Sequence, residues 1–273
     1  MILLHDLFYI RLLLSFLVGG VWILLATVIA EHHGSQIGGV IGGMPSTMVV
    51  SYFFIGLTQS MDFASAATTT FPIMICFTAF FLMIASLVLP RGYWVAVLIG
   101  ITVWAAAALM VIIFRINNFL LSLSLWTITF VFFNFFFRKC LNDTHQKIEM
   151  TYTPLQVVGR AVFAGSMVAF VLIISRIAGP LAGGVFAAFP VLYLSTFTIA
   201  YHAHGVKFTQ ALARPLILSA LPNCLLYALS VRYLYPAFGL YLGTVGALLI
   251  SLIAGYATYL ILGRASSSAT ATA

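Results

Sequence analysis

The chain has 273 residues, of which 63% are apolar and only 6% are charged, against roughly a quarter charged in a soluble domain. So few charges cannot keep a water-facing surface polar, which excludes a soluble globular protein. The formal net charge of +7 gathers into no basic stripe with interleaved aromatics, so it does not point to nucleic acid either.

Apolar runs of about 20 residues, long enough to cross a hydrocarbon core of roughly 30 Å, recur from end to end. The fold class expected is therefore an all-α integral membrane protein with about nine transmembrane helices. Residues 12–30 are apolar and lie between His5, Asp6 and Arg11 on one side and Glu31, His32 and His33 on the other. No small-residue cleavage pattern follows, so the run reads as a first span over 10–30 and not as a cleaved signal. Further spans are expected over 36–58, 70–90, 93–114, 117–138, 157–177, 180–202, 209–232 and 238–262, separated by Pro90-Arg91-Gly92, by Arg115-Ile116-Asn117-Asn118 and by Tyr235-Pro236. The one long polar connection, 138–156, divides the chain in two. The expected organisation is a first membrane repeat over 1–115, a linking helix and cytoplasmic loop over 116–156, a second membrane repeat over 157–264, and a disordered low-complexity tail over 265–273.

With nine spans, one side of the membrane receives Arg91, Arg138, Lys139, Lys147, Arg160, Lys207, Arg214 and Arg264, and the other receives Arg11, Arg115, Arg176 and Arg232. The richer side is expected to be cytoplasmic, which places the N-terminus outside and the C-terminus in the cytoplasm. Such a protein would reside in a bacterial cytoplasmic (inner) membrane.

Two segments resemble each other at an offset of 145 residues: GGVIGGMP over 38–45 and GGVFAAFP over 183–190. Gly42 and Gly43 are matched by Ala187 and Ala188, and Pro45 by Pro190. Other landmarks fall in the same order. Arg11 and Arg160 open the preceding helices. Pro72 and Pro215 follow, and polar turns (Thr58 to Asp62, His202 to Gly205) come after each copy. The copies lie in spans two and seven. An odd displacement of five spans means that equivalent helices cross in opposite directions, the inverted-repeat plan of many secondary transporters. Inverted duplications also occur in channels and other membrane proteins.

Pro45 and Pro190 interrupt otherwise apolar spans, each removing a backbone N–H and crowding the carbonyl four residues back, that of Ile41 or Phe186. Freed backbone groups at membrane depth are tolerated only against protein or a water-filled cavity. Paired breaks at corresponding positions therefore mark a candidate substrate site. Its candidate residues are Gly42, Gly43, Pro45, Ser46, Thr47 and Ser51 in the first half, and Ala187, Ala188, Pro190, Ser195, Thr196 and Thr198 in the second. The competing reading is that the hydroxyls bond their own helices and the small residues only let helices pack closely.

Glu31 and Arg176 each stand seven residues before the first glycine of their copy. Inversion would put them at opposite faces, as gates or as interfacial anchors and not as an ion pair. Asp62, the only carboxylate between residues 32 and 142, is a candidate coupling residue or a loop residue. His32-His33 and His202-x-His204 lack a third ligand, so no metal site is expected. Cys76, Cys140 and Cys224 are far apart and form no disulfide or metal pattern. No acid–base pair, HExxH, G-x-S-x-G or P-loop is present, so neither an enzyme nor a cofactor is expected.

The segment from Gly183 to Pro215, GGVFAAFPVLYLSTFTIAYHAHGVKFTQALARP, resembles the small four-helix bacterial membrane proteins of the GlpM type. The resemblance lies in Gly-x-x-x-x-Phe-Pro, the polar turn at Gly205 and the small-residue stretch ending near Arg214. In the first half Met44 replaces the Phe. The resemblance implies two such units fused through the fifth span, and carries over no substrate or site residue.

The function expected is that of a secondary transporter or exporter, with a small neutral, amphipathic or lipid-linked substrate, or an anion held by helix N-termini. Its partners would be the lipid bilayer and the substrate, with a homodimer or a membrane partner as a further possibility. The alternative is a non-transporting membrane subunit that supports a cell-envelope enzyme.

Overall fold

A computed structural model describes residues 2–32, 45–140 and 152–270. The described residues are mostly helical, and no strand is found among them. In chain order the helices are α1 (Ile2–His32), α2 (Ser46–Thr58), α3 (Met61–Ala67), α4 (Phe71–Val88), α5 (Tyr93–Ile113), α6 (Phe119–Cys140), α7 (Pro154–Ala187) and α8 (Val191–Thr270). A 3₁₀ turn over Thr68–Thr70 joins α3 to α4.

Local chemistry sets several of these ends. Thr153 and Gln156 form a reciprocal capping box with Pro154 in the first turn, which starts α7. The Ser60 hydroxyl accepts from the Phe63 N–H at 3.0 Å and Asp62 sits in the first turn, so α3 opens where a longer polar turn was expected. Neither α7 nor α8 is one straight rod. The chain turns sharply at Gly179 (φ 84°), Gly205 (φ 78°) and Gly239 (φ 78°), each in a left-handed region that side-chain-bearing residues avoid. The polar turn expected at 202–205 is thus helix up to a hinge at Gly205. The described part of α8 extends to Thr270.

Several stretches are long and apolar enough to cross a bilayer: Leu7–Ile29, Met61–Arg91, Tyr93–Ile113, Phe119–Phe137 and the bent run Pro154–Ala257. Large apolar side chains cover the outward faces, among them Leu13, Leu98, Leu120 and Ile253. Such a surface belongs in lipid. The helix over Met61–Arg91 is the most enclosed of these stretches.

Hydrogen bonds and ring contacts define the two ends of the bundle. At one end Arg11 Nη1 donates to the Leu57 carbonyl at 2.7 Å, and Gln59 Nε2 donates to Ser175 Oγ at 2.8 Å. The Arg176 guanidinium lies 3.9 Å from the centre of the Phe8 ring, and that of Arg232 lies 4.2 Å from the centre of the Phe119 ring. Arg115 precedes α6 at the same end. At the other end Tyr93 OH and Thr198 Oγ1 lie 2.6 Å apart, Tyr93 stacks on Tyr201, and Gln210 donates to the Ser86 carbonyl at 2.8 Å. From the interior, α2 runs toward the arginine end and the segment 191–204 runs toward the tyrosine end. Glu31 stands 23 residues beyond Phe8 on α1, about 35 Å along the helix at 1.5 Å per residue. Arg176 and Glu31 therefore belong to opposite ends.

Helices α1 and α7 cross where both are thinnest. A Cβ on Gly165 would lie 2.4 Å from the Phe16 carbonyl and 3.3 Å from the Gly20 nitrogen, and one on Gly20 would lie 3.2 Å from the Ala161 carbonyl. Backbones can approach so closely only where side chains are absent. Gly20 and Gly165 are 145 residues apart, the same offset that relates the two GGV segments.

Candidate functional site

Both prolines stand immediately before a helix start, Pro45 before α2 and Pro190 before α8. Pro45 is the first described residue before α2; its backbone is non-helical (φ −76°, ψ 52°), and its carbonyl accepts from the Val49 N–H at 3.0 Å. No side chain caps this helix start. In the second half α7 stops at Ala187 and α8 resumes at Val191. The Phe186 carbonyl, four residues before Pro190, accepts from the Phe189 N–H at 3.0 Å, so the break itself uses the group that proline released. The Pro190 carbonyl then accepts from Leu194 at 2.8 Å and starts the next helix.

The two breaks face one cleft, with about 330 Å³ of atom-free space including its open mouth. Pro45, Ser46, Thr47 and Met48 line it from the first half, and Ala187, Ala188, Phe189, Val191, Leu192 and Tyr193 from the second. Phe71 and Ile75 of α4 and Cys224 of α8 complete the wall. Added to 46, 47 and 48, the offset of 145 gives 191, 192 and 193. Equivalent positions thus meet across the cleft, and with unlike chemistry: Ser46, Thr47 and Met48 oppose Val191, Leu192 and Tyr193. One wall carries hydroxyls at the start of a helix, the other branched aliphatics and a phenol. None of these lining side chains is charged.

A buried relay fixes the second break. Thr78 Oγ1 donates to the Ala188 carbonyl at 2.9 Å and accepts from Trp104 Nε1 at 3.1 Å. The Trp104 ring packs edge-on against Phe189, centroids 5.0 Å apart. Gly183 and Gly184 serve the approach to this break. A Cβ on Gly184 would lie 1.9 Å from the Ala67 carbonyl, and one on Gly183 would lie 2.7 Å from Ser175 Cβ. For these two glycines close packing is the reason for the residue type.

The sequence-selected residues separate accordingly. Pro45, Ser46, Thr47, Ala187 and Ala188 line the cleft, and Pro190 adjoins it as part of the second break. Gly42 and Gly43 lie outside the described residues. Ser51 is buried on α2 but is not part of the lining. Ser195 and Thr196 are likewise outside it, and Ser195 donates to its own helix at the Leu192 carbonyl, 3.0 Å. Thr198 bonds the Leu194 carbonyl at 2.7 Å and meets Tyr93 at the tyrosine end. Asp62 is exposed in the first turn of α3, and Arg176 is exposed beside Phe8. Neither reaches the cleft. Glu31 falls in the last turn of α1.

Side-chain polarity did not single out Met48, Phe71, Ile75, Phe189, Val191, Leu192, Tyr193 and Cys224. The repeat offset was the available signal for Met48 and Tyr193, which follow Pro45 and Pro190 by three residues each. Nothing local marks Phe71 and Cys224, which arrive from helices outside the repeat motif.

Residues 12–119 match a family described as a protein of unknown function, DUF3147. The match starts within α1, spans α2 to α5 and ends at the start of α6. No curated protein and no solved structure matches the chain.

Proposed function

We propose that this chain is a nine-span secondary transporter built from two inverted four-helix repeats. The fifth span turns the second repeat over, and the cleft between the breaks is the substrate site. The observation that carries this reading is the meeting of residues 46–48 with residues 191–193 in one cleft, related by a single offset and placed on helices that run to opposite ends. Two inverted halves around a shared site can exchange exposure to one side of the membrane for exposure to the other.

The lining suits a small neutral or amphipathic substrate, with its polar part against Ser46, Thr47 and the Tyr193 phenol and its apolar part against Phe71, Val191 and Leu192. The absence of charge from the described lining argues against a strongly ionic cargo, because a buried charge needs a partner. The excess of Lys and Arg assigned to the tyrosine end supports a cytoplasmic position for that end and for the C-terminus, in a bacterial inner membrane.

Cys224 supplies a test that needs no known substrate. With Cys76 and Cys140 changed to alanine, the protein is reconstituted in liposomes and treated from either side with a membrane-impermeant methanethiosulfonate. Cys224 is expected to react from both sides, at different rates, and Ala188→Trp is expected to suppress both reactions at least tenfold by filling the cleft. A thiol closed to both sides in folded protein but reactive after denaturation would end the transporter reading. A non-transporting membrane subunit would then be favoured.

A further inference from the structure

The contact between α1 and α7 repeats itself under the 145-residue offset. A Cβ on Gly20 would press on the Ala161 carbonyl, and one on Gly165 would press on the Phe16 carbonyl. The offset carries Gly20 to Gly165 and Phe16 to Ala161, so each contact is the image of the other. Gly19 faces Val168, and their images, Ala164 and Ile23, share one buried cluster. Reciprocal contacts of this kind mark a twofold axis through the crossing of two equivalent elements.

The ends of the two halves do not obey this symmetry. At the arginine end Arg11 donates to the Leu57 carbonyl at 2.7 Å and ties α1 to the last turn of α2. The offset carries Leu57 to His202, close to where the run from Val191 meets the Gly205 hinge at the tyrosine end. It carries Arg11 to Gln156, which is engaged in the capping box that starts α7. Arg160 stands one turn further along the same face of α7. It precedes Arg176 by 16 residues, about 24 Å along the helix, and so belongs to the tyrosine end. Its guanidinium swings back toward the helix start, 4.9 Å from the centre of the Tyr152 ring. Its Nε and Nη1 are enclosed and make no hydrogen bond among the described residues. Enclosed donors without acceptors are costly, and the last carbonyls of a helix lack partners within it. One half therefore holds its arginine bonded to the neighbouring helix end, and the other half holds its arginine unbonded.

We propose that Arg11 and Arg160 are two alternating latches, one for each end of the molecule. In the structure described here the arginine end is latched. When the Arg11 bond to Leu57 opens, Arg160 takes a carbonyl at the end of 191–204 and draws α7 to that helix at the tyrosine end. The proposal rests on the reading of two inverted halves around one cleft, in which each half can adopt the arrangement of the other. Both arginines act by positioning helices, and neither touches the substrate.

Distances between spin-label pairs, measured by double electron–electron resonance in the full chain in liposomes, test the exchange. With the native cysteines replaced by alanine, Leu155→Cys with Ala203→Cys reports the tyrosine end, and Ile10→Cys with Met61→Cys reports the arginine end. All four positions are exposed. Arg11→Gln is expected to lengthen the 10–61 distance and shorten the 155–203 distance. The ratio of the two populations should change at least about tenfold, the size expected for one hydrogen bond to a charged group. Adding Arg160→Gln to Arg11→Gln should return the distribution toward the parent, and Arg11→Lys should keep most of the parent distribution. A 155–203 distance that ignored Arg11→Gln, or a double variant no different from Arg11→Gln alone, would overturn the proposal and leave Arg11 a local cap of α2. Labelling of Cys224 separates this result from the transport reading. Exchanging distances with a Cys224 closed to both sides would keep the latches and end that reading, and fixed distances with a Cys224 open to both sides would do the reverse.

Discussion

Gly184→Ala is expected to prevent this protein from reaching its native packing, although alanine is the best helix former and the residue lies in a helix. The added Cβ would fall 1.9 Å from the Ala67 carbonyl oxygen and 2.7 Å from Thr70 Oγ1. The first of these is backbone at the end of α3 and cannot rotate away, so α7 and α3 must separate along their contact. Overpacking of a core costs about 1–3 kcal/mol when side chains can yield; against backbone the upper end or more applies, about 3 kcal/mol or greater. Gly159→Ala is the control. It lies in the same helix with nothing within 4 Å of its added Cβ, and should be neutral or gain up to about 1 kcal/mol from helix propensity. Size-exclusion recovery in detergent and Tm by intrinsic fluorescence distinguish the two variants. A monodisperse Gly184→Ala protein with an unchanged Tm would refute the close approach of α7 to α3.

Thr78→Val should cost nearly as much through the opposite defect, a hydrogen-bonding vacancy. Valine keeps the shape of threonine but removes the hydroxyl that donates to the Ala188 carbonyl and accepts from Trp104. Both partners stay buried, Trp104 at 2% exposure, so two polar groups are orphaned by one substitution. At about 1–3 kcal/mol for each unsatisfied group, the loss should total about 2–6 kcal/mol. Thr78→Ser should restore most of it, whereas Trp104→Phe leaves the bond to Ala188 in place. Because Ala188 is a wall of the cleft, Thr78→Val should also change the rate at which Cys224 is labelled, and Thr78→Ser should return it toward the parent value. A Thr78→Val protein with unchanged Tm and labelling rate would show that the relay does not hold the break.

The two predictions draw on different kinds of information. The importance of the GGV segments was visible from their recurrence, and so was the chance that their glycines served packing. What Gly184 packs against was not visible, because Ala67 lies more than a hundred residues away and no local pattern announces it. Thr78 was not singled out at all. An isolated threonine in an apolar helix usually bonds its own backbone, and only the arrival of Ala188 and Trp104 from other helices gives this one a different task. Ser195 shows the converse: its position after a proline break suggested a site, and its hydroxyl turned back to its own helix.

The sequence by itself determined the helical membrane character, because chain-long apolarity leaves no other way to satisfy backbone groups in lipid. It also determined the two breaks, because proline removes a backbone donor wherever it stands. The 145-residue offset was legible too, and it carried Met48 and Tyr193 implicitly. Tertiary structure alone decided that both breaks face one cleft, and that Phe71 and Cys224 close it. Gly179 before Pro180 and Gly205 in its polar turn fall in connections the sequence already marked, whereas only the tertiary structure shows that Gly165 and Gly184 make room for the backbone of another helix. The physical reason is the same in each case. A broken helix is a property of one segment, whereas a cleft or a close approach exists only when distant segments meet.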